Sequence, residues 1–463
     1  MSHPATLGDL KSSGYTSRSV RDELRENLLR KVRAGEAVFE GIVGYDDTVV
    51  PAVENAILAG HDIIFLGERG QAKSRIMRDL TKLLDPEVPT IAGCEINDDP
   101  LVPICAACRH LVADKGEETP IVWLKPEDRY AEKLATPDIS VADLIGEVDP
   151  IKVAEGRYLA DELTVHYGLI PRTHRGVFAI NELPDLAERI QVGLLNLLEE
   201  RDVQIRGYKV RLPLDIFLVA SANPEDYTNR GRIITPLKDR FGAQIRTHYP
   251  ETIGQEVQIV DLESHQIDAG VPVRFPRYMK DIVAELTHQA RRSPQVNQRS
   301  GVSVRLSICN AETVAASAVK RAVRLAESEA VPRVTDLDAV ASSTLGKIEV
   351  EALEEGREGD ILAKLVRQAV FAVYQRELRG EAFSELVARF DEGLSVDTSP
   401  EMGAEEFCRQ FGDLKGLARA LEKLEAGESP ATTAAALEFI LEGLHLGKRL
   451  NKTPTAAGAR YGR

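Results

Sequence analysis

The residues best suited to phosphate chemistry form one segment between an apolar run that ends at Leu66 and a helical pattern that begins at Arg75. The segment reads Gly67, Glu68, Arg69, Gly70, Gln71, Ala72, Lys73 and Ser74. In such a strand-to-helix turn, successive backbone N–H groups point inward at an anion and the helix N-terminus adds its dipole. Lys73 would neutralise the β- and γ-phosphates, and Ser74 would give an oxygen to Mg²⁺. The segment predicts a P-loop, with ATP and Mg²⁺ as its ligands.

One residue of this loop departs from the common pattern. Ala72 stands where a second glycine is usual. A methyl group is tolerable there if the φ angle of the residue is negative. We therefore interpret Ala72 as a variation that keeps the loop functional.

A second set of candidate residues follows the apolar run from Gly176 to Ile180, which ends in Asn181 and Glu182. Glu182 would act as the general base that polarises the attacking water. An aspartate is usual at the position of Asn181, where it orders the water shell of Mg²⁺. An amide oxygen can accept from metal-bound water but carries no charge, so we expect weaker Mg²⁺ binding and slower turnover.

The composition limits the classes of partner. The chain has 463 residues, 43% of them hydrophobic, which predicts about two to four globular domains. Its 58 Lys and Arg residues against 73 Asp and Glu residues give a formal net charge of -15. The resulting field repels nucleic acids and anionic membranes, and the apolar stretches are far shorter than a membrane span. We expect neither a nucleic-acid nor a membrane partner.

The cysteines indicate the compartment and raise the question of a second metal. Five cysteines are too few for a disulfide framework, and with no secretory pattern near Met1 they favour a cytoplasmic location. Cys94, Cys105, Cys108 and His110 could hold tetrahedral zinc, but buried thiols or plain surface residues explain the pattern equally well. Both interpretations stay open, and Mg²⁺ is the one metal that we predict.

The elements that position these residues alternate between strands and helices. Four apolar runs bounded by turn signals predict strands: Asp62–Leu66, Val177–Ile180, Ile216–Ala220 and Gln244–Thr247. Strands separated by helical patterns predict an α/β fold, with a parallel sheet flanked by helices. After Pro250 the spacing is helical, in the segments Met279–Arg292, Val304–Ser328 and Val334–Val350.

These patterns divide the chain into four parts. Residues 1–38 form an N-terminal helical arm, and residues 39–250 form a nucleotide-binding α/β domain with an insertion at about 94–175. Residues 251–350 form an α-helical lid, and residues 351–463 form a C-terminal helical region. The small, polar and basic tail from Lys448 to Arg463 is expected to be mobile.

Further motifs give the chain a family resemblance over about residues 39–349. They are Phe39 to Gly44, Leu144 to Asp149, Ala222 to Glu225 and Pro236 to Phe241. With the P-loop, they resemble an AAA+ ATPase of the magnesium-chelatase I-subunit and MoxR-like branch. The resemblance implies a P-loop NTPase core of the AAA+ type, followed by an α-helical lid and, in this chain, extra C-terminal helices.

The resemblance also implies roles for individual residues. Ile42 and Val43 would flank the adenine, and Asn223 would be the sensor-1 residue that positions water near the γ-phosphate. Arg305 would be the sensor-2 arginine, in the first turn of a helix that Ser303 caps.

A trans-acting arginine is a further implication of the resemblance. Arg240 would be the finger that reaches the nucleotide of the neighbouring subunit, and a planar guanidinium suits the charge that develops on a transferring phosphoryl group. Arg230 and Arg232 are alternatives for this role.

The segment between Lys73 and Glu182 is longer than a compact strand-helix-strand succession requires. In the family that the chain resembles, insertions here form hairpins that face the ring pore or a substrate. Residues 136–175 would hold them, with turns at Gly146, Gly156 and Gly168. A surface elaboration without a mechanical role is the alternative.

The leading hypothesis is a ring-forming ATPase, a homo-oligomer and by resemblance a hexamer, that binds and hydrolyses ATP. It would remodel a partner protein or assist metal insertion, magnesium chelatase activity included, and the resemblance implies a partner with a von Willebrand factor A domain. The alternative is a nucleotide-gated assembly scaffold with weak or no hydrolysis, because Asn181 is neutral. A sigma-54-dependent transcription activator is disfavoured, since the chain lacks a Gly-Ala-Phe-Thr-Gly-Ala loop, a terminal helix-turn-helix pattern and a basic face.

Overall fold

The computed structural model describes residues 3–149, 162–204, 211–223, 231–298, 300–351, 356–412 and 415–463. The chain divides into two compact units, Met1–His248 and Tyr249–Arg463. The boundary predicted between residues 350 and 351 lies inside the second unit, whose hydrophobic core includes residues on both sides of it.

A parallel sheet of five strands lies at the centre of the first unit. In spatial order, the strands are β11 (Ala243–Arg246), β1 (Ile63–Leu66), β10 (Ile216–Ala222), β7 (Gly176–Asn181) and β4 (Tyr130–Leu134). Ile63 pairs with Val219 on one side and with Ala243 on the other, and every strand pair of this sheet is parallel. The four predicted strands are confirmed. The edge strand β4 was missed, because the sequence analysis assigned its residues to the insertion.

Alternating side chains on the central strands enter two different cores. In β1, Ile64 joins the core on one face, while Ile63 and Phe65 join the core on the other. In β7, Phe178 lies in the same core as Ile64, and Val177 lies in the core of Ile63 and Phe65. Strands that are apolar on both faces are typical of a parallel sheet covered on both sides, and this explains why they appear in the sequence as continuous apolar runs.

The described helices of the first unit lie before and between these strands in the sequence. They are α1 (Leu7–Ser12), α2 (Val20–Ala34), α3 (Val49–Ala59), α4 (Lys73–Asp79), α5 (Ala106–Lys115), α6 (Val141–Leu144), α7 (Leu169–Arg172), α8 (Glu188–Glu199) and α9 (Thr235–Arg240). Helix α2 begins where the Ser19 side chain accepts from the Asp22 N–H, and it ends at Gly35, whose φ of 67° is left-handed. Its residues Leu24 and Leu28 belong to a core of the first unit.

Among the described residues of the first unit, three short antiparallel pairs accompany the parallel sheet. They are β2 (Val88–Ile91) with β3 (Ile121–Leu124), β5 (Gly146–Val148) with β6 (Val165–Tyr167), and β8 (Asp202–Gln204) with β9 (Arg211–Pro213). Two of the three predicted turn glycines lie at one end of the middle pair, Gly146 as the first residue of β5 and Gly168 directly after β6. Gly146 has a φ of 122°, and a Cβ on Gly168 would lie 2.5 Å from the carbonyl carbon of Leu144, so both positions require glycine. Gly156 lies outside the described residues.

The second unit is mainly helical, with one large hydrophobic core and a smaller apolar cluster around Ala318 and Ala322. Its helices are α10 (Ile253–Glu263), α11 (Arg277–Arg292), α12 (Arg305–Leu325), α13 (Ala341–Thr344), α14 (Glu358–Glu377), α15 (Ser384–Asp391), α16 (Ala404–Arg409), α17 (Ala418–Lys423) and α18 (Pro430–Leu446). The helices predicted in Met279–Arg292 and Val304–Ser328 are confirmed as α11 and α12. The helix predicted over Val334–Val350 was wrong in type and length, since Val334–Val340 is a 3₁₀ helix that continues into the short α13.

The C-terminal tail is part of this core, so the prediction of a mobile tail was wrong. Strands β13 (Asn451–Pro454) and β14 (Ala459–Gly462) form an antiparallel hairpin, and β14 also pairs with β12 (Val396–Thr398). Tyr461 is fully buried, and its hydroxyl donates to the Glu442 carboxylate on α18. In the part of the chain that the structure describes, no helix has the length and apolarity to cross a bilayer.

Candidate functional site

The parallel sheet brings the sequence-predicted site residues together at one edge. Because β1, β7 and β10 run in the same direction, their carboxyl ends meet there. Gly67 follows β1, Asn181 is the last residue of β7, and Asn223 follows β10. Residues from three distant parts of the sequence thus surround one loop.

Two glycines of the loop are required by its geometry. A Cβ on Gly67 would lie 2.0 Å from Thr247 Oγ1 and 2.2 Å from Gln71 Oε1, and Gly70 has a φ of 76°. The negative φ expected for Ala72 was wrong, because its φ is 53° and its ψ is 11°. A left-handed alanine costs about 1–2 kcal/mol, so the loop stores backbone strain directly before Lys73.

The Lys73 ammonium is buried and fully engaged by oxygen acceptors. Nζ donates to the backbone carbonyl of Gly67, to that of Glu68 at 2.6 Å, and to Asn223 Oδ1 at 2.7 Å. These carbonyl and amide oxygens occupy the positions around the ammonium that phosphate oxygens could take. The side chain predicted to bind phosphate therefore lies in hydrogen-bond contact with the predicted sensor residue.

The two predicted Mg²⁺ residues also lie in contact. Asn181 Oδ1 accepts from Ser74 Oγ at 3.0 Å and from Ser221 Oγ at 3.2 Å. Hydroxyl and amide oxygens are ligands that suit a hard cation and its bound waters. The oxygen atoms at this point of the loop fit Mg²⁺, which Ser74 would hold directly and Asn181 through a bound water.

A carboxylate that the sequence analysis missed lies beside Asn181. Glu132 on β4 accepts a hydrogen bond from Asn181 Nδ2, and Arg78 on α4 holds the same carboxylate through Nε at 2.6 Å and Nη2 at 2.9 Å. Burial acts to raise the pKa of Glu132, but the hydrogen bonds and charge of Arg78 outweigh it, so the pKa is lowered and the carboxylate stays ionised. Only the pairing of β4 with β7 reveals this neighbour, and that pairing is not evident from the sequence.

Glu182 begins the connection after β7 in a strained conformation. Its φ is 56° and its ψ is 47°, and its N–H donates to Ser221 Oγ at 3.2 Å. Left-handed non-glycine residues persist only where the surroundings fix them, and they cluster at functional sites. The side chain is half-buried, as a base that must reach a water near the loop would be.

The loop is supported from behind by a tyrosine. The Tyr45 hydroxyl lies 3.0 Å from the Gln71 carbonyl oxygen and 2.7 Å from that of His248, so its one proton is shared between two acceptors, and burial raises its pKa to about 12. The Gln71 side chain in turn accepts from Thr247 Oγ1 at 2.7 Å. The neutral hydroxyl thus fixes the loop against the end of β11.

The predicted adenine-flanking residues, Ile42 and Val43, are half-buried in an irregular segment that precedes α3. The segment lies beside the start of α4, since a Cβ on Gly41 would come within 2.7 Å of Arg75 Nη2. Their role remains a prediction, as do those of the exposed Arg69 and the half-buried Glu68 in the loop.

Arg240, the predicted trans-acting arginine, makes hydrogen bonds to residues of its own chain. Arg240 Nε donates to Glu199 at 2.8 Å and Nη1 donates to the Pro236 carbonyl at 2.9 Å, and its side chain is partly exposed. Arg232 is more exposed, with a 4.0 Å ion pair to Glu188. Arg230 lies outside the described residues. Exposed ion pairs are weak, so Arg240 can exchange Glu199 for another anion at small cost.

The predicted sensor-2 arginine belongs to the second unit. Arg305 is exposed at the first position of α12. Val304, not Ser303, occupies the N-cap position, although Ser303 Oγ accepts from the Arg305 N–H at 3.2 Å.

A five-stranded parallel sheet with a P-loop after β1 and polar residues at the ends of the neighbouring strands is the architecture of a P-loop nucleotide-binding core of the AAA+ type. The sequence is similar to the magnesium-chelatase subunit ChlI of Euglena gracilis, with 28% identity over 224 residues that cover 45% of this chain and 58% of that protein. This confirms the identification of an AAA+ ATPase similar to the magnesium-chelatase I-subunit branch.

Two further similarities accompany this one. The archaeal Lon protease of Pyrococcus abyssi is 26% identical over 154 residues, which cover 31% of this chain and 15% of that protein. A solved complex between subunits BchI and BchD of magnesium chelatase aligns with a TM-score of 0.37 and 20% identity, over 70% of this chain and 98% of that one. No protein-family model matches the chain. The chain spans less than two thirds of the length of either curated relative.

Proposed function

We propose that this protein binds ATP with Mg²⁺ at the P-loop and hydrolyses it to remodel a partner protein. The observation that carries the proposal is the 2.7 Å contact between Lys73 Nζ and Asn223 Oδ1 at the carboxyl edge of the sheet. It supports a site in which one side chain neutralises the phosphates and the other orients water beside the γ-phosphate.

In this proposal, phosphate oxygens of ATP replace the backbone carbonyls of Gly67 and Glu68 as acceptors for Lys73. The ammonium turns to the β- and γ-phosphates, the loop N–H groups hold the remaining phosphate oxygens, and Mg²⁺ supplies charge neutralisation next to Ser74. Glu182 accepts a proton from the water that attacks the γ-phosphorus, and phosphate leaves with ADP as the other product.

The proposed active form is a homo-oligomeric ring, by resemblance a hexamer. Each site is completed by Arg240 of the adjoining copy, which leaves Glu199 for the γ-phosphate. A partner with a von Willebrand factor A domain and assisted metal insertion, magnesium chelatase activity included, remain part of this proposal on resemblance alone.

A scaffold that binds ATP to assemble but hydrolyses it slowly is the second candidate. The neutral Asn181 at the Mg²⁺ position favours it, because the amide brings no charge to the metal. The ionised Glu132 beside Asn181 favours the motor, because it brings a negative charge to the same place.

Phosphate release by the purified chain separates the two candidates. The motor predicts turnover that Glu182→Gln abolishes while ATP binding, measured by calorimetry, is kept. The scaffold predicts ATP binding with the same low turnover in the wild type and in Glu182→Gln. If neither binds ATP and Lys73→Ala behaves as the wild type does, the proposed site is wrong.

A further inference from the structure

Three thiols and a carboxylate meet in one cluster beside the sheet domain. Cys94, Asp98, Cys105 and Cys108 each offer one ligand atom, and these four atoms all lie within 4.8 Å of one another. Cys105, Cys108 and Asp98 are buried, with Asp98 at 0% exposure, and Cys94 is half-buried. The loop after β2 supplies Cys94 and Asp98, while the start of α5 supplies the Cys-x2-Cys pair.

Backbone N–H groups point at the sulfur atoms of this cluster. Cys94 Sγ accepts from the N–H of Ile96 at 3.4 Å and of Asp98 at 3.3 Å. Cys105 Sγ accepts from the Cys108 N–H at 3.3 Å, in the first turn of the ten-residue α5. Several N–H donors and a helix N-terminus stabilise thiolates over thiols, and thiolates are the form that binds metal.

The buried carboxylate has no counter-charge among the described residues. Asp98 accepts from the N–H of Ile104 at 3.1 Å and of Cys105 at 2.9 Å, but no Lys, Arg or His in the described ranges pairs with it. A buried charge is costly unless it is paired or coordinates a metal. A cation among the sulfur atoms would remove this cost.

The ligand set and its spacing select the metal. Soft thiolates select zinc, copper(I) or iron, and a tetrahedral Zn²⁺ with Zn–S bonds of about 2.3 Å places its ligand atoms about 3.8 Å apart. A group of atoms already within 4.8 Å of one another reaches that spacing by small side-chain rotations. Four protein ligands leave no open position, which is the mark of a structural site.

We propose that Cys94, Asp98, Cys105 and Cys108 bind one Zn²⁺ in a closed tetrahedral site. His110, which the sequence offered as the fourth ligand, is exposed on α5 and does not join the cluster. Asp98 takes its place.

The ion would fix the N-terminus of α5 to the loop after β2. That end of α5 also holds Glu162, which accepts from the Ala106 N–H at 2.7 Å and from Arg109 Nη2 at 3.1 Å. Glu162 lies three residues before β6, so the zinc site braces the inserted region from which β5 and β6 arise.

Metal analysis of the wild-type chain, purified without chelator and dialysed against metal-free buffer, tests the proposal first. We expect about one zinc per chain, and in a titration with a mercurial two thiols should react without loss of zinc, followed by three whose reaction releases all of it. A zinc content near zero after exposure to ZnCl₂ and dialysis, with all five thiols reactive at once, would overturn the proposal.

Variants locate the site. Cys94→Ser and Asp98→Ala should each lower zinc affinity by tenfold or more, while His110→Ala, Cys309→Ser and Cys408→Ser keep the wild-type zinc content. Equal zinc loss in the control variants would contradict the assignment.

Cobalt substitution covers the case in which the cysteine variants do not fold. Wild-type chain loaded with Co²⁺ should show thiolate-to-metal charge transfer and the intense visible bands of a tetrahedral ion, whereas the weak bands of octahedral cobalt would overturn the proposal. Lys73→Ala should retain its zinc, so this result is independent of the ATP site.

Discussion

Asn181 and Glu132 lie on neighbouring parallel strands, and Asn181 Nδ2 donates to the Glu132 carboxylate. The amide that replaces the usual aspartate is therefore oriented by a carboxylate one strand away. Its Oδ1 is left for Ser74 and Ser221, on the side where Mg²⁺ is proposed to lie.

The first prediction concerns this pair. Glu132→Gln removes the negative charge beside the proposed Mg²⁺ and should raise the Mg²⁺ concentration for half-maximal hydrolysis about tenfold, equivalent to about 1.4 kcal/mol. Glu127→Gln, at an exposed position five residues earlier, should leave it unchanged. The double variant Glu132→Gln with Asn181→Asp should regain Mg²⁺ affinity, and no change in any variant would show that Glu132 does not act on the metal.

The second prediction concerns the strained loop. Ala72→Gly should raise the free energy of unfolding by about 0.5–1 kcal/mol, because relief of the left-handed alanine exceeds the extra chain entropy of glycine. Ala52→Gly, inside α3, should lower it by about 1 kcal/mol. Urea unfolding followed by circular dichroism measures both, and equal losses would mean that the φ of Ala72 carries no strain.

The third prediction concerns the docking of α2. Glu23 and Arg129 form a buried two-hydrogen-bond pair, Oε1 to Nη1 at 2.7 Å and Oε2 to Nη2 at 2.6 Å. Glu23→Gln leaves Arg129 buried without its counter-charge and should cost about 3–5 kcal/mol of stability. Glu26→Gln, which breaks a surface pair with Arg18, should cost less than about 1 kcal/mol. Urea titrations of the two variants measure the loss in free energy of unfolding. A similarly small loss in both would mean that the buried Glu23–Arg129 pair holds α2 no more strongly than a surface ion pair does.

The fourth prediction concerns stability in mild acid. Burial lowers the pKa of His174 to about 3, with the charge of Arg175 adding to the effect. His174 Nδ1 accepts from the Asp215 N–H at 2.9 Å and so stays neutral. Below pH 6.5 the His174 side chain takes up a proton in the unfolded chain but stays neutral in the folded one. The free energy of unfolding is therefore unaffected by titration of His174 above pH 6.5 and falls as the pH is lowered towards 3.

Each pH unit below 6.5 lowers the free energy of unfolding by about 1.4 kcal/mol. At pH 5 the loss is therefore about 2 kcal/mol. His174→Gln keeps a hydrogen-bond acceptor but has no group that titrates. Between pH 8 and pH 5, the free energy of unfolding of this variant should therefore fall by about 2 kcal/mol less than that of the wild type. Denaturant titrations at the two pH values measure the difference. Identical pH dependence in the two proteins would place the titration elsewhere.

The sequence predicted most of the sheet because its central strands are buried on both faces. Val177, Phe178 and their neighbours are all apolar, so the pattern marks a strand without any knowledge of the fold. The edge strand β4 carries Glu132 and Lys133 and gives no such signal. The same reason hides the tail hairpin, whose strands are short and mostly polar, and in which Tyr461 finds Glu442 only through tertiary packing.

The site was predictable where one stretch of chain holds the chemistry and not where distant segments meet. Lys73 and Ser74 follow from a contiguous motif, whereas Glu132 depends on strand pairing and Asp98 on the path of a loop. The φ of Ala72 was missed for a different reason, since a side chain type does not fix a backbone angle that the surrounding loop imposes.

Hydrolysis by mixed subunits tests most directly the claim that the Lys73 loop holds ATP and an adjoining copy completes the site. Lys73→Ala and Arg240→Ala should each be inactive alone, and Arg232→Ala should keep activity. Mixing the two inactive variants should restore phosphate release, because an intact Lys73 loop then meets an intact Arg240 at some interfaces. Activity in Lys73→Ala alone, or no recovery in a mixture that forms mixed oligomers, would contradict the account.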